Sequence, residues 1–517
     1  MTREWRDLAR PSAVAALLLG AFFCFGNLGG RGLWQDEAET AVLARRVLVY
    51  GMPRADDGVN AVSAELGRDR GADGVWNWSP WLPLYLDAAA LRLFGDNEAA
   101  ARLPFALAGW LCLPGAFLLS RRWFSSARGA RLSLFALVLS TPFLLAARQA
   151  RGYALAALAL VVLLLALDGL LRGRRRAALI FATAALTLFY TNYLVALGLF
   201  AALALSAPLL KPDRAGARRL ARAAAVALLG AVPGLVYFHV FGRAPSWNAA
   251  RFLSQLETGA VLLAAFVLPW PFALGLLAAD ARGDTSSARR VRFLLAAIGL
   301  DLVILAAAPW LFFRYLVVLA PVAAVLLGAA LDRLSRRSRA AAAVALALLA
   351  TDLYARVPLG LLGLSAARWA DPGPAHSPYL GLAGEILRGY PSCDKAAAAY
   401  ISERARPDDV VMTNYGDTVL QFYTPLRVRG GEQGPPWPAD PDWAVLHPYE
   451  ISRDPGRDWS ALQFLRARVA RPGSGDALQP FICRDPVLAD APDPGTHLFR
   501  PPSGGSSLLI LRRAKPD

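Results

Sequence analysis

The chain has 517 residues, 56% of them hydrophobic and only 18% charged, with a mean hydropathy of +0.38. A soluble chain rarely carries that balance, whereas crossing a bilayer requires apolar runs of about 20 residues. The net charge of +16 does not imply a nucleic-acid partner, because the arginines stand in short clusters between apolar runs, the pattern of cytoplasmic loops under the positive-inside rule.

Residues 1–10 are short and basic, and residues 11–29 are apolar. No small-x-small cleavage site follows convincingly, so this stretch reads as an uncleaved first span running from cytoplasm to outside. Residues 30–76 then form a long polar loop. It opens with Gly32-Leu-Trp34-Gln-Asp36-Glu37-Ala-Glu39-Thr40, three carboxylates within four residues directly after a span. Residues 38–50 are helical in pattern, and Gly51, Pro53 and Gly58 end that helix. Trp76-Asn-Trp78-Ser-Pro-Trp-Leu-Pro-Leu-Tyr85 reads as an interfacial aromatic belt, and a short helix over 82–94 follows.

Spans then alternate over 99–120, 132–147, 152–171, 177–191, 193–210, 223–241, 258–279, 293–311, 314–331 and 340–358. Every basic cluster between them, from Arg121-Arg122 to Arg336-Arg337, falls on one side. The prediction is a polytopic α-helical membrane protein of about eleven spans, with its N-terminus inside and its C-terminus outside. The lysines are Lys211, Lys395 and Lys515 alone, and the arginine- and alanine-rich remainder fits a GC-rich bacterial genome, hence a bacterial inner membrane. The spans make a domain of residues 1–358, of which 30–95 is the first outer loop. Residues 359–517 lose the long apolar runs and read as an extracytoplasmic α/β domain. A helix is predicted over 395–406, with buried strands over 409–412, 443–446 and 507–511. Cys24 and Cys112 lie in apolar segments. Cys393 and Cys483 lie in the polar region and could pair if it is exported.

The outer ends of the spans collect the chemistry. Asp36, Glu37 and Glu39 lie there, with Arg102 four residues after Glu98. Arg148-Gln-Ala-Arg151-Gly-Tyr153 forms a turn between two spans, and Arg314-Tyr315 opens another. These arginines sit where the positive-inside rule disfavours them, and ionisable groups at a membrane are costly and usually partnered. Guanidinium groups match a lipid-linked phosphate, and a carboxylate beside them can deprotonate an acceptor hydroxyl. Each residue alone has a plainer reading. An acid after a span is usually solvated, an arginine at a span end is usually an interface anchor, and Asn192 is better suited to capping a helix than to touching a sugar. The combination carries the functional reading.

Trp34-Gln-Asp36-Glu37-Ala38, with the helix and Gly51-Met-Pro53 after it, resembles the first outer loop of GT-C glycosyltransferases. The branch it resembles is that of the protein O-mannosyltransferases and lipid A aminoarabinose transferases. Pro80-Trp-Leu-Pro83-Leu-Tyr85, Glu98-x-x-x-Arg102-Leu-Pro, Arg148-x-x-Arg151-x-Tyr153 and Arg314-Tyr315 are similar to further stretches of that branch, over roughly residues 10–335. The resemblance implies a GT-C fold and inverting transfer of a sugar from a polyprenyl-phosphate-sugar donor to a glycan, lipid or protein acceptor at the outer face. It makes Asp36 the base, with Glu37 beside it. The donor phosphate would meet Arg102, Arg148, Arg151 and Arg314, with Tyr153 and Tyr315. Trp34, Glu39, Trp78 and Asn192 are candidates for the sugar or acceptor side. Some relatives hold a divalent metal beside the acids, which would fall to Asp36 and Glu37. This chain departs at Asn77-Trp78-Ser79, where relatives often carry Lys or Glu, and at Asn192, where they often carry His. Two other readings are a transporter or flippase of a lipid-linked sugar and a non-catalytic envelope assembly protein.

Overall fold

The computed structural model describes residues 3–64, 67, 69, 71, 73–242, 247–280, 285–361, 375–388, 392–433, 441–447, 477–483 and 506–512. They form two compact units. One joins the residues up to Gly26 with Phe105–Gly384; the other joins Asn27–Pro104 with the described residues after Gly384.

The first helices are α1 (Arg3–Leu8), α2 (Pro11–Phe25), α3 (Gln35–Tyr50), α4 (Leu82–Phe94) and α5 (Glu98–Phe124). Next come α6 (Ala127–Val138), α7 (Thr141–Ala147), α8 (Tyr153–Leu171), α9 (Ala177–Thr191), α10 (Tyr193–Ser206) and α11 (Arg214–Tyr237). After these follow α12 (Ala249–Leu262), α13 (Trp270–Asp280), α14 (Ser286–Ala306), α15 (Phe313–Val317), α16 (Ala320–Arg337), α17 (Arg339–Ala347) and α18 (Leu353–Leu361). The last are α19 (Pro378–Arg388), α20 (Cys393–Ser402) and α21 (Asp417–Tyr423).

The protein is membrane-embedded. Among the described residues five helical stretches are long and apolar enough to cross a bilayer: Glu98–Phe124, Tyr153–Leu171, Tyr193–Leu210, Arg214–Tyr237 and Ala249–Val267. The pair α6 and α7 would make a sixth, bent by 66°. Every span expected from the sequence contains helix, but several are interrupted. The stretch 132–147 breaks at Ser140, just before Pro142, which has no N–H and a fixed φ. The stretch 258–279 breaks at a π-turn, Leu263–Val267, followed by Pro269. Small residues bring α6 and α16 together. A Cβ on Gly328 would stand 1.9 Å from Ser133 Oγ and 2.5 Å from the Gly129 carbonyl, so only glycine admits this approach.

In the second unit a five-stranded sheet has the order β2-β1-β3-β5-β4. Its strands are β1 (Val410–Thr413), β2 (Arg427–Gly430), β3 (Trp443–Leu446), β4 (Ala477–Cys483) and β5 (Ser506–Arg512). β1 pairs parallel with β2 and β3, while β5 pairs antiparallel with β3 and β4. All four residues of β3 are buried, as a strand covered on both faces requires. Ala397, Ala398 and Ile401 of α20 and Leu420 of α21 pack on Val411, Val428, Trp443 and Ile510. Strands β1, β3 and β5 match expectation. β2 was hidden by its two arginines, and β4 by Pro480, which is tolerated because β4 is an edge strand. Cys393 is disulfide-bonded, while Cys24 and Cys112 are free and buried. The expected role of Cys483 concerns a side chain outside the description.

Candidate active site

The second unit builds its acidic centre at the start of α3. Asp36 and Glu37 occupy the first turn, where the helix dipole favours negative charge. Glu37, Gln35 and Glu39 are buried, while Asp36 is only half-buried. Glu37 accepts a hydrogen bond from the Trp34 backbone N–H at 3.4 Å, half of a capping box. Its two oxygens also take a forked ion pair from Arg102, with Nε at 2.7 Å and Nη2 at 2.6 Å. The remaining N–H groups of Arg102 donate to the carbonyls of Leu28 (2.9 Å), Arg31 (2.8 Å) and Gly32 (2.9 Å). A guanidinium has five donors. All five are spent inside the protein, so the expected phosphate contact has no N–H of Arg102 to receive it. Arg102 instead fixes the turn that leads into Asp36.

The same accounting bears on a metal. Both oxygens of Glu37 already accept from Arg102, so a cation held by Asp36 and Glu37 would share them with that guanidinium. Among the described residues no group of three His, Cys, Asp or Glu is placed to hold one.

The loop is also held from the far end of the chain. Leu33 N–H donates to Tyr423 Oη at 2.9 Å, and Tyr423 donates to Glu98 Oε1 at 2.8 Å, which Lys395 Nζ meets at 2.5 Å. Burial, with Glu98 beside it, holds the Tyr423 phenol above its ordinary pKa. Gln35 Nε2 donates to Asp417 Oδ1 at 2.8 Å, and Thr418 Oγ1 donates to the Gln35 carbonyl at 2.7 Å. Burial pushes the Asp417 carboxyl up to about 6. Further along α3, Arg46 is 4% exposed, donates to the carbonyls of Arg54, Ala55 and Asn60, and pairs with Asp57 at 3.0 Å. Burial lowers its pKa. On α4, Asp87 is fully buried, and neither carboxyl oxygen finds a hydrogen-bond donor among the described residues. Desolvation, then the nearby Glu37, raise it well above the usual carboxylate range. Trp78 is half-buried in the loop before α4. Its neighbour Trp76 is fully buried and donates to Ser79 Oγ at 2.9 Å, so it is a core residue and not a belt aromatic.

The first unit holds a separate basic and aromatic cluster. Arg148 ends α7 and donates to the Phe23 carbonyl at 2.7 Å. Tyr153 and Tyr315 lie with ring centroids 6.3 Å apart, and the Arg314 guanidinium lies 5.7 Å from the Tyr153 ring and 4.5 Å from that of Phe312. Arg151 and Tyr193 lie within electrostatic reach of Tyr315. Arg148, Arg151, Tyr153, Arg314 and Tyr315 therefore share one unit, and Trp34, Asp36, Glu37, Glu39 and Arg102 share the other. Asn192 caps α10, accepting from Val195 N–H at 3.1 Å. Sequence reasoning missed Asp417, Thr418 and Tyr423, which lie some 380 residues from the loop they hold; only the local Asp-Thr helix start signals anything there.

The apolar helices and the small mixed sheet together make a fold that recurs in solved structures. Two solved structures of ArnT from Cupriavidus metallidurans are similar in particular. The one bound to undecaprenyl phosphate matches at a TM-score of 0.64 and 18% identity, over 98% of this chain and 99% of that one. The apo form matches at 0.63 and 18%, with the same coverage. The arabinofuranosyltransferase AftD from Mycobacteria matches at 0.51 and 17%, over all of this chain and 42% of its own. No protein-family model and no curated protein matches the chain.

Proposed function

We propose that this chain transfers a sugar from a polyprenyl-phosphate-sugar donor to an acceptor hydroxyl or amine, with inversion and with Asp36 as general base. Asp36 takes the acceptor's proton as its oxygen or nitrogen attacks the anomeric carbon. The bond from that carbon to the phosphate oxygen breaks, and the polyprenyl phosphate leaves with the electron pair. Arg148, Arg151 and Arg314, with Tyr153 and Tyr315, are assigned to the phosphate, where preorganised cations favour the charge that develops. Glu37 and Arg102 are assigned to holding Asp36, and Trp34, Glu39 and Trp78 to the sugar or acceptor side, while Asn192 caps α10. The observation that carries the reading is the frame around Asp36: Gln35, Glu37 and Glu39 beside it are buried and Arg102 holds both oxygens of Glu37, while Asp36 itself is only half-buried. Similarity to ArnT bound to undecaprenyl phosphate supports the donor class. The reaction is placed at the outer face of a bacterial inner membrane, with residues 1–358 as the membrane domain and 359–517 as an extracytoplasmic domain.

The test is transfer of label from a radiolabelled polyprenyl-phosphate-sugar mixture in membranes containing the protein. Label in a new glycan, lipid or protein supports the reading and identifies the acceptor. Donor crossing the bilayer with no label transferred favours a flippase.

A further inference from the structure

The acidic loop lies near the start of the chain, yet the groups that fix its backbone come from near the end. Asp36 is preceded by Leu33 and Gln35, and α21 holds both. Tyr423 Oη accepts the Leu33 N–H at 2.9 Å and donates its own O–H to Glu98 at 2.8 Å. Thr418 Oγ1 holds the Gln35 carbonyl at 2.7 Å, and Asp417 holds the Gln35 side chain at 2.8 Å. Asp417 is itself pinned, since Gln433 Nε2 donates to its other oxygen at 3.2 Å. One turn on, Phe422 accepts from Arg45 at 2.7 Å through its carbonyl and receives the guanidinium 3.7 Å above its ring. These contacts grip the residues on either side of Trp34, where a small rotation of the helix start would swing the Asp36 carboxylate.

We propose that Tyr423 and Asp417 are positioning residues that aim the Asp36 carboxylate, so that the C-terminal α/β segment is part of the catalytic apparatus. This rests on Asp36 being the base. Misplacing a reacting group by about 1 Å costs on the order of 100-fold in rate. Tyr423→Phe keeps the packed ring and deletes only the hydroxyl that joins Leu33 to Glu98. Asp417→Ala deletes the anchor of Gln35, whereas Asp417→Asn keeps an oxygen to accept from it.

The experiment measures kcat, KM for a polyprenyl-phosphate-sugar donor and thermal stability for these three variants and Asp36→Asn in full-length protein. Tyr423→Phe and Asp417→Ala are expected to lower kcat about 10- to 100-fold, with KM for the donor within about twofold. Asp417→Asn recovers most of that loss. If Asp417→Ala fails to fold, Tyr423→Phe and Asp417→Asn decide. Unchanged kcat per folded molecule in Tyr423→Phe, with Asp36→Asn inactive, overturns the positioning role and leaves the base intact. Activity in Asp36→Asn overturns the base and, with it, this proposal.

Discussion

Arg102 shows what a single buried cation does here. Its five donors are divided between one carboxylate and three backbone carbonyls, a pattern that only a planar fork reproduces. Arg102→Ala leaves Glu37 charged and buried and is expected to cost about 3–5 kcal/mol, read as a fall in thermal stability. Arg102→Lys retains the charge but has three donors for five acceptors, and lies between. Asp87 makes the opposite case. It is a buried acid without a donor among the described residues, so Asp87→Asn is expected to leave stability unchanged or higher at neutral pH, while loss of folding would mean that the carboxyl has a needed partner. The residue types at the acidic loop were legible from sequence, because acids are rare beside apolar runs and Asp36 stands out. The role of Arg102 was not, because spacing gives its charge and side of the membrane but not the three carbonyls turned toward it.

At the scale of elements, the contact of α21 with α3 carries a pH dependence. The Asp417 carboxyl rises to about 6 through burial, offset only in part by hydrogen bonds from Gln35 and Gln433. The folded state therefore binds that proton more tightly than the unfolded chain does. The contribution is fully present below about pH 4 and is lost as pH rises through about 6, a change on the order of 3 kcal/mol. Melting of the second unit between these pH values should show the fall, and Asp417→Asn should flatten it. In the membrane helices, Gly328→Ala would drive a Cβ into Ser133 and the backbone of α6, for a cost of about 1–3 kcal/mol. Helix positions were readable because apolar runs and arginine clusters alternate. The break between α6 and α7 was passed over, although Ser140-Thr141-Pro142 interrupts the apolar run there, because the apolar residues on either side add up to the length of one span. The helix starting at Asp417 was equally hidden, since seven residues are too few to show a period.

At the scale of the whole chain, the described C-terminal residues and Asn27–Pro104 form one compact unit. Asn60 illustrates the joining: it donates to the Leu426 carbonyl at 3.0 Å and accepts from Val428 N–H at 2.7 Å. A chain ending at residue 376 should therefore lose the fold of residues 27–104, seen as rapid proteolysis there, while the apolar helices of the first unit stay in the membrane. Such long-range pairing leaves no mark in local sequence pattern, whereas the apolar balance that makes the chain a membrane protein is visible in composition alone. The central claim is that Asp36 acts on the acceptor and not on the donor. The direct measurement for the proposed reaction is binding of a polyprenyl-phosphate-sugar donor and sugar transfer, side by side, for wild type and Asp36→Asn. Binding within about twofold of wild type with transfer reduced at least about 1000-fold is the expected result. Transfer at the wild-type rate in Asp36→Asn would contradict the account.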